Sequence, residues 1–565
     1  MRVRKWLSAS ALALALTPAT ASAPAFSVVE ASIADMQAAL ARHRVTSHEL
    51  VAQYLARIAT YEDKFHAALT INPNALAEAD ALDRERARGR IRGPLHGIPI
   101  ALKDNIHTTG MPTTGGALAF DGLMPPYDAT LTKNLRDAGA IIIAKTGMTE
   151  LANWVAGPPT PMPGNYNAVG GFGYNPYDPR RDPRDGFFDG RPAMLTGGSS
   201  SGIGTTANFW AANIGTETSG SILNPSNWMM LVGIKPTVGR ISRYGVIPIT
   251  ADQDTPGPMA KYVRDAAILL GVLEGAAPDP NDPATNNCAR PPKGDYTQYL
   301  KEDALKGARI GIPRAFFYEP TVAPGDAIPS GGLNPERMQA MNEAIAVLKE
   351  KGAVIVDPAD IPSVVDTDAS ENFLNWGICG AGFDPGALNE GCSIVLEYGM
   401  KRDFNAWLAS LGSRAPVPSL TALREWNNAH IEAGAIKYGQ STLDRSDAID
   451  LTEDRARYEA DRAKDIRLTA TRGIDAVMKA ERLDALLFPG QLGAAIAARP
   501  GYPTVTVPFA KVPNAPTPAF PDGFDAKPAP FGVSFTGMAC SEPKLLALAY
   551  AFEQATKRRV PPPAP

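Results

Sequence analysis

Apolar and polar positions along the chain fall into blocks that read alternately as helix and strand. Helical patterns lie near 30–60 and 74–88, and a strand follows through Ile98–Leu102. Short β-type apolar runs recur at Ala140–Ala144, Arg309–Ile312, Ala353–Val356 and Leu483–Phe488, with helical patterns between them. This alternation predicts an α/β sheet layered by helices. Irregular connections at 157–196, 274–297, 318–335 and 509–531 are rich in Pro, Gly or Asp. Long connections in a compact domain often carry function. The 157–196 segment holds Tyr166, Phe172, Tyr174, Tyr177, Phe187 and Phe188, either an aromatic overhang above a site or a surface loop tied down by its own rings. No internal repeat or heptad pattern is visible, and the tail Arg558–Pro565 reads as a frayed end.

Composition narrows the class. With 565 residues, 44% hydrophobic and 20% charged, the chain can bury a core of ample size. Lys and Arg number 55 against 59 Asp and Glu, a net charge of −4. No electrostatic footprint for nucleic acid is present. Met1–Lys5 is basic, and Trp6–Leu16 is apolar but too short to span a bilayer. Small residues at Ala19–Ala21 and Ala21–Ala23 complete a signal peptide over 1–21, with cleavage after Ala21 or, less readily, after Ala23. The expected destination is the periplasm or outside the cell, without stable membrane insertion. In such a compartment the four cysteines can pair. Cys379 and Cys392, flanking a Gly/Pro-containing loop, are the best pair, whereas Cys540 in the run Gly537–Cys540 reads as a buried free thiol.

Candidate chemistry sits in two glycine-flanked turns, Gly197-Gly198-Ser199-Ser200-Ser201-Gly202 and Gly215-Thr216-Glu217-Thr218-Ser219-Gly220-Ser221. Glycine lets a backbone approach a ligand closely, and backbone N–H groups beside a serine are what acyl transfer needs to hold an oxyanion. Upstream, Gly97–Asn105 places Lys103 at the end of an apolar run, where desolvation lowers an amine's pKa. One lysine and two serines suit a hydrolase that uses no histidine. Gly198–Gly202 also spells the G-x-S-x-G elbow of α/β-hydrolases, with Ser200 as nucleophile. That reading needs a strand before the elbow and a histidine after it. Arg191–Thr196 makes a poor strand, and the one later histidine, His430, reads as helix interior. His96 and His107 form no metal-ligand spacing. His107 reads as a solvated loop residue or as part of a cleft mouth.

These residues resemble the amidase signature family, serine hydrolases with a Ser-cisSer-Lys triad. Other segments carry the likeness as well: Thr46–Val51 with Tyr54, Leu55 and Ile58; Gly93–Pro99; Ala138–Thr146; Met148–Leu151; Val232–Arg240; and Gly501–Pro508. It runs from about residue 30 to about residue 560. The resemblance implies one large domain over 22–565, a mixed central sheet covered by helices on both faces, with insertions near 157–196, 274–297 and 509–531. It assigns Ser221 as nucleophile, Ser199 as cis-serine and Lys103 as base. The backbone amides of Thr218, Ser219, Gly220 and Ser221 become the oxyanion hole.

Two departures are visible. The serines stand 22 residues apart, slightly closer than is usual in the family, and the shortfall falls in a stretch read as helical, Ile203–Ile214. Ile222-Leu223-Asn224 replaces an arginine that many members carry after the nucleophile, which argues against small anionic amides. The activity implied is hydrolysis of a carboxamide C–N bond through a Ser221 acyl-enzyme, with no metal and no organic cofactor. The expected partner is a small-molecule or peptide amide, neutral and apolar or aromatic, and the expected state a monomer or homodimer. The alternatives are an amidotransferase-type component of a complex and an esterase using Ser200. Glu217 reads as structural or as orienting the glycine turn, and Lys235 as a packing or ion-pair residue.

Overall fold

In the computed structural model, which describes residues 26–186, 189–197, 202–380 and 391–564, each predicted β-type run becomes a strand of one sheet. Eleven strands build it: β1 (Ala68–Ile71), β2 (Pro99–Lys103), β3 (Ile141–Thr146), β4 (Ala212–Glu217), β5 (Val232–Lys235), β6 (Thr255–Ala260), β7 (Arg309–Gly311), β8 (Val354–Val356), β9 (Ala485–Pro489), β10 (Thr504–Val512) and β11 (Ala529–Thr536). Their order is β1-β3-β2-β4-β6-β5-β10-β11-β9-β7-β8. Parallel pairing joins β3, β2 and β4 on one side and β9, β7 and β8 on the other. The middle, from β4 to β9, is antiparallel. The result is a single α/β domain whose mixed central sheet is flanked by helices. Strands β2, β3 and β4 are buried at every position; β2 and β3 therefore read as largely apolar runs rather than alternating ones, whereas β4 buries the polar Asn213, Thr216 and Glu217.

The helical pattern near 30–60 resolves into two helices, Ile33–Ala41 and Ser47–Phe65, each opened by a capping box. Ser32 pairs with Asp35 and Thr46 with Glu49, so side chains satisfy amides that the first turn leaves without partners. The pattern near 74–88 becomes Ala75–Ala87. The stretch Ile203–Ile214, read as helical, is corrected: its helix spans only Gly202–Thr206. Asn208 takes a left-handed φ of 58°, which ends the helix, and β4 begins at Ala212.

Among the described aromatics of the 157–196 segment, Tyr166, Phe172 and Tyr174 are buried in a satellite core with Trp154, Phe404 and Trp407. Tyr177 packs in the main core. They tie the segment down. Phe187 and Phe188 lie outside the described residues. Three Asp-x-Arg ion pairs, 178/180, 182/184 and 189/191, stiffen the segment. Two of their arginines, Arg180 and Arg184, also lie over Phe524 and Phe520 of the 509–531 connection.

All four cysteines are paired. Cys379 bonds to Cys392, as expected. Cys540 is not a free thiol: it bonds to Cys288, 252 residues away, clamping the 274–297 connection to the turn after β11.

Candidate active site

Strand β2 delivers Lys103 to the middle of the sheet, between β3 and β4. Its side chain is fully buried. The Nζ donates to both oxygens of Thr216 on β4, to the carbonyl at 3.0 Å and to Oγ1 at 2.9 Å. Burial drives the Lys103 pKa down to about 7, against the opposing pull of Asp254 and Glu217. A neutral amine has two N–H bonds and one lone pair. Thr216 takes both hydrogens, so the lone pair points elsewhere and is free to accept a proton.

Strand β4 ends at Glu217 and turns through Thr218–Ser221 into the helix Leu223–Trp228. Ser221 is 8% exposed. Gly220 supplies the turn's left-handed residue, with φ of 87°. The Glu217 carboxylate accepts the amides of Ile222 at 2.7 Å and Leu223 at 2.9 Å. It therefore fixes the two residues that follow Ser221, which makes its structural role and its orienting role the same contact. Thr218 Oγ1 donates to Asp254 at 2.5 Å. The second Asp254 oxygen accepts the amides of Ile249 and Thr250 at 2.8 and 2.9 Å, and burial pushes the Asp254 carboxyl up to about 6.

Ser199 and Ser200 lie outside the described residues, but the segment entering them is placed. Gly197 has φ of 83°, and a Cβ there would stand 2.4 Å from the Pro225 nitrogen in the helix after Ser221. Only glycine allows that approach. Asn175 reinforces it by donating to both the Leu195 and Trp228 carbonyls. The segment leading to the first serine turn is thus seated on the helix that follows the second.

Asn105 and Asp254 were not read from the sequence as site residues, nor was Thr216 singled out within its glycine-rich turn. Asn105 donates to Thr216 Oγ1 at 3.0 Å. Residues Leu151, Ala152 and Asn153 are consecutively left-handed, with φ of 42°, 57° and 70°. Each costs about 1–2 kcal/mol relative to a right-handed residue. Ala152 lines a small cavity with Asn105, Thr216, Thr218 and Asp254, so this strain is held beside the lysine.

Other expected roles change. His107 is neither solvated nor at a cleft mouth: it is fully buried, its Nε2 accepts the Trp407 indole N–H at 2.9 Å, and burial drives its pKa to about 3. His430 ends the helix Leu420–Ala429 rather than lying inside it, and its ring stacks on Trp426 at 3.8 Å. Lys235 keeps its expected packing role: it is buried in the core and donates to the Tyr502 carbonyl at 2.6 Å. A cavity of about 760 Å³ lies elsewhere and includes Lys261, Asp265 and Glu553. Its acids serve the fold: Asp265 accepts the Ile33 amide and Glu553 the Val263 amide.

A family model described as Amidase matches residues 49–546. The chain belongs to the amidase family. A probable amidase of Arabidopsis thaliana is 33% identical, the match covering 95% of this chain and 92% of the relative. A glutamyl-tRNA(Gln) amidotransferase subunit of Thermosynechococcus vestitus is 32% identical over 93% of this chain and 98% of its own. Among solved structures, the native peptide amidase of Stenotrophomonas maltophilia is similar, with 35% identity and a TM-score of 0.78. That match covers 94% of this chain and 98% of the other. This amidase-family chain is accordingly an amide-hydrolysing enzyme. Among the described residues, no helix is long and apolar enough to cross a membrane.

Proposed function

We propose that this amidase cleaves neutral apolar, aromatic or peptide amides through a Ser221 acyl-enzyme, with Ser199 relaying protons to neutral Lys103. The observation that carries this reading is Lys103 itself: buried, with both hydrogens of its neutral form engaged by Thr216 and a pKa near 7. A serine hydroxyl needs a neighbouring base to become a nucleophile. Lys103 takes the Ser199 proton while Ser199 takes that of Ser221, and Ser221 Oγ bonds to the amide carbon. The carbonyl oxygen becomes an oxyanion facing the backbone amides of Thr218, Ser219, Gly220 and Ser221. The proton returns by the same route to the nitrogen, the C–N bond breaks, and ammonia or an amine leaves. Water then repeats the sequence on the ester and releases the acid. General acid–base assistance of this kind contributes about 10²–10⁴ in rate.

The structural likeness to a peptide amidase favours peptide and apolar amides as the substrate class, and Ile222 and Leu223 place no cation after the nucleophile. Two disulfides favour the exported location that the leader predicts, because such bonds persist in oxidising compartments. The leader itself lies outside the described residues.

Intact-mass labelling of the purified protein with a fluorophosphonate tests the reading. Stoichiometric labelling is expected, lost in Ser221→Ala and slowed sharply in Ser199→Ala and Lys103→Ala. Labelling that survives Ser221→Ala but is lost in Ser200→Ala overturns it in favour of the elbow serine. An amide panel then separates aliphatic, aryl and C-terminal peptide amides.

A further inference from the structure

Thr216 Oγ1 accepts from both Lys103 Nζ and Asn105 Nδ2, so its own hydroxyl proton must be donated outward. The Asn105 amide is oriented by its second contact, since Nδ2 also faces the Ile247 carbonyl at 3.4 Å. That leaves Asn105 Oδ1 buried with no partner, in a residue only 3% exposed. A buried acceptor without a partner costs about 1–3 kcal/mol. The same residues line a cavity of about 10 Å³, together with Thr218 and Asp254. A space of roughly 10–15 Å³ holds one water, provided it has two to four polar partners. Donors and acceptors balance around such a water: Thr216 Oγ1–H can donate to it, and it can donate to Asn105 Oδ1 and to the Asp254 carboxylate. A groove of about 410 Å³ shares Arg243, Val246 and Asp254 with the cavity's lining.

We propose that this cavity is an ordered-water site and that Asp254 is a positioning residue. Through that water and through Thr218, Asp254 ties the Lys103 base and the oxyanion turn into one hydrogen-bonded unit. The inference rests on the reading of Lys103 as the base. Asp254 accepts from Thr218, three residues before Ser221, and is anchored on its other oxygen by two backbone amides. Moving the carboxylate therefore moves the turn that holds the nucleophile. Its charge also favours the ammonium form of Lys103. The other charged groups facing this pair are Glu217 at the end of β4, Arg243 in the loop before Asp254, and Asp403 on the helix Val395–Ser410. Arg243 is engaged by Asp282 at 2.6 Å.

The test is the pH dependence of fluorophosphonate labelling in the full chain, wild type against Asp254→Asn, with a high-resolution crystal structure of the wild type. Removing the carboxylate removes a charge that raises the Lys103 pKa. The acid midpoint is expected to fall by about one pH unit, and the plateau rate to fall as well. A lower plateau with an unmoved midpoint means a merely structural Asp254 and overturns the proposal. In the crystal, electron density for one water within hydrogen-bond distance of Asn105 Oδ1, Thr216 Oγ1 and Asp254 is expected. A cavity without that density overturns the water site even if Asp254→Asn fails to fold. Labelling that survives Ser221→Ala, or that is not slowed in Lys103→Ala, would instead refute the triad, an outcome the water density does not touch.

Discussion

Lys103 gives the sharpest test, because in the proposed mechanism one buried amine governs both the rate and part of the stability. With its pKa near 7, half of the molecules carry a neutral base at pH 7. An ordinary lysine, with a pKa near 10.4, would be neutral in roughly 0.04% of molecules at that pH. Burial therefore raises the competent population by about three orders of magnitude. The labelling rate is expected to rise from about 1% of its plateau at pH 5 to about half of it at pH 7 and to level off above pH 8. Arginine cannot deprotonate in this range, so Lys103→Arg is expected to fall below about 1% of the wild-type rate at pH 8. The stability sign runs the other way. The folded state disfavours the ammonium, so the penalty is complete below about pH 7 and fades as pH rises toward the unfolded value. At 1.36 kcal/mol per unit it reaches about 5 kcal/mol. Lys103→Met keeps the apolar volume, and it forfeits two hydrogen bonds to Thr216 worth about 1 kcal/mol each. That variant is expected to be inactive yet to melt higher than wild type at pH 6, with the advantage shrinking toward pH 10. A rate that is independent of pH between 5 and 8, or a Lys103→Met protein less stable at pH 6 than at pH 10 relative to wild type, refutes the reasoning.

Gly197→Ala places a methyl 2.4 Å from the Pro225 nitrogen at φ of 83°; labelling is expected to slow by more than tenfold, with at least about 1–2 kcal/mol of strain visible in the melting curve. An unchanged rate would mean that the approach of this segment to the Pro225 helix does not position the first serine turn. Glu217→Ala leaves the Ile222 and Leu223 amides without their acceptor, so a loss of about 2–4 kcal/mol is expected by denaturant titration. Pairwise replacement of the cysteines by alanine separates the disulfides. In the chain-entropy account, the 252-residue span of Cys288–Cys540 contributes about 5 kcal/mol and the 13-residue span of Cys379–Cys392 about 3 kcal/mol. The first pair is therefore expected to lower Tm more.

What the sequence disclosed and what it concealed divide along physical lines. Strands β2, β3 and β9 are legible because they are buried on both faces and must be continuously apolar. Strand β6 is not, although it lies in the middle of the sheet. It reads Thr255-Pro256-Gly257-Pro258, and proline argues against a central strand. The fold overrides the propensity because Gly257 lets β6 press against its neighbour: a Cβ there would lie 2.1 Å from the Ile234 carbonyl. His107 misled for the opposite reason. A polar residue in a turn-rich segment looks solvated, and only the distant Trp407 reveals that it is a core acceptor.

The same division runs through the site. The proposed catalytic groups announce themselves locally, because a nucleophile turn needs glycine beside serine within a few residues. The groups that tune them do not. Asp254 is 36 residues from Thr218 and reaches it only because β6 pairs with β4, and nothing in Gln253-Asp254-Thr255 marks the aspartate as different from any turn acid. Reaction type can thus be read from short-range composition, whereas the burial that lowers the Lys103 pKa to about 7 is set by strand pairing. Relatives that keep the serines and the lysine but alter the residue facing them from the neighbouring strand should keep the chemistry and shift its pH range. The Asp254→Asn profile asks that question within a single fold.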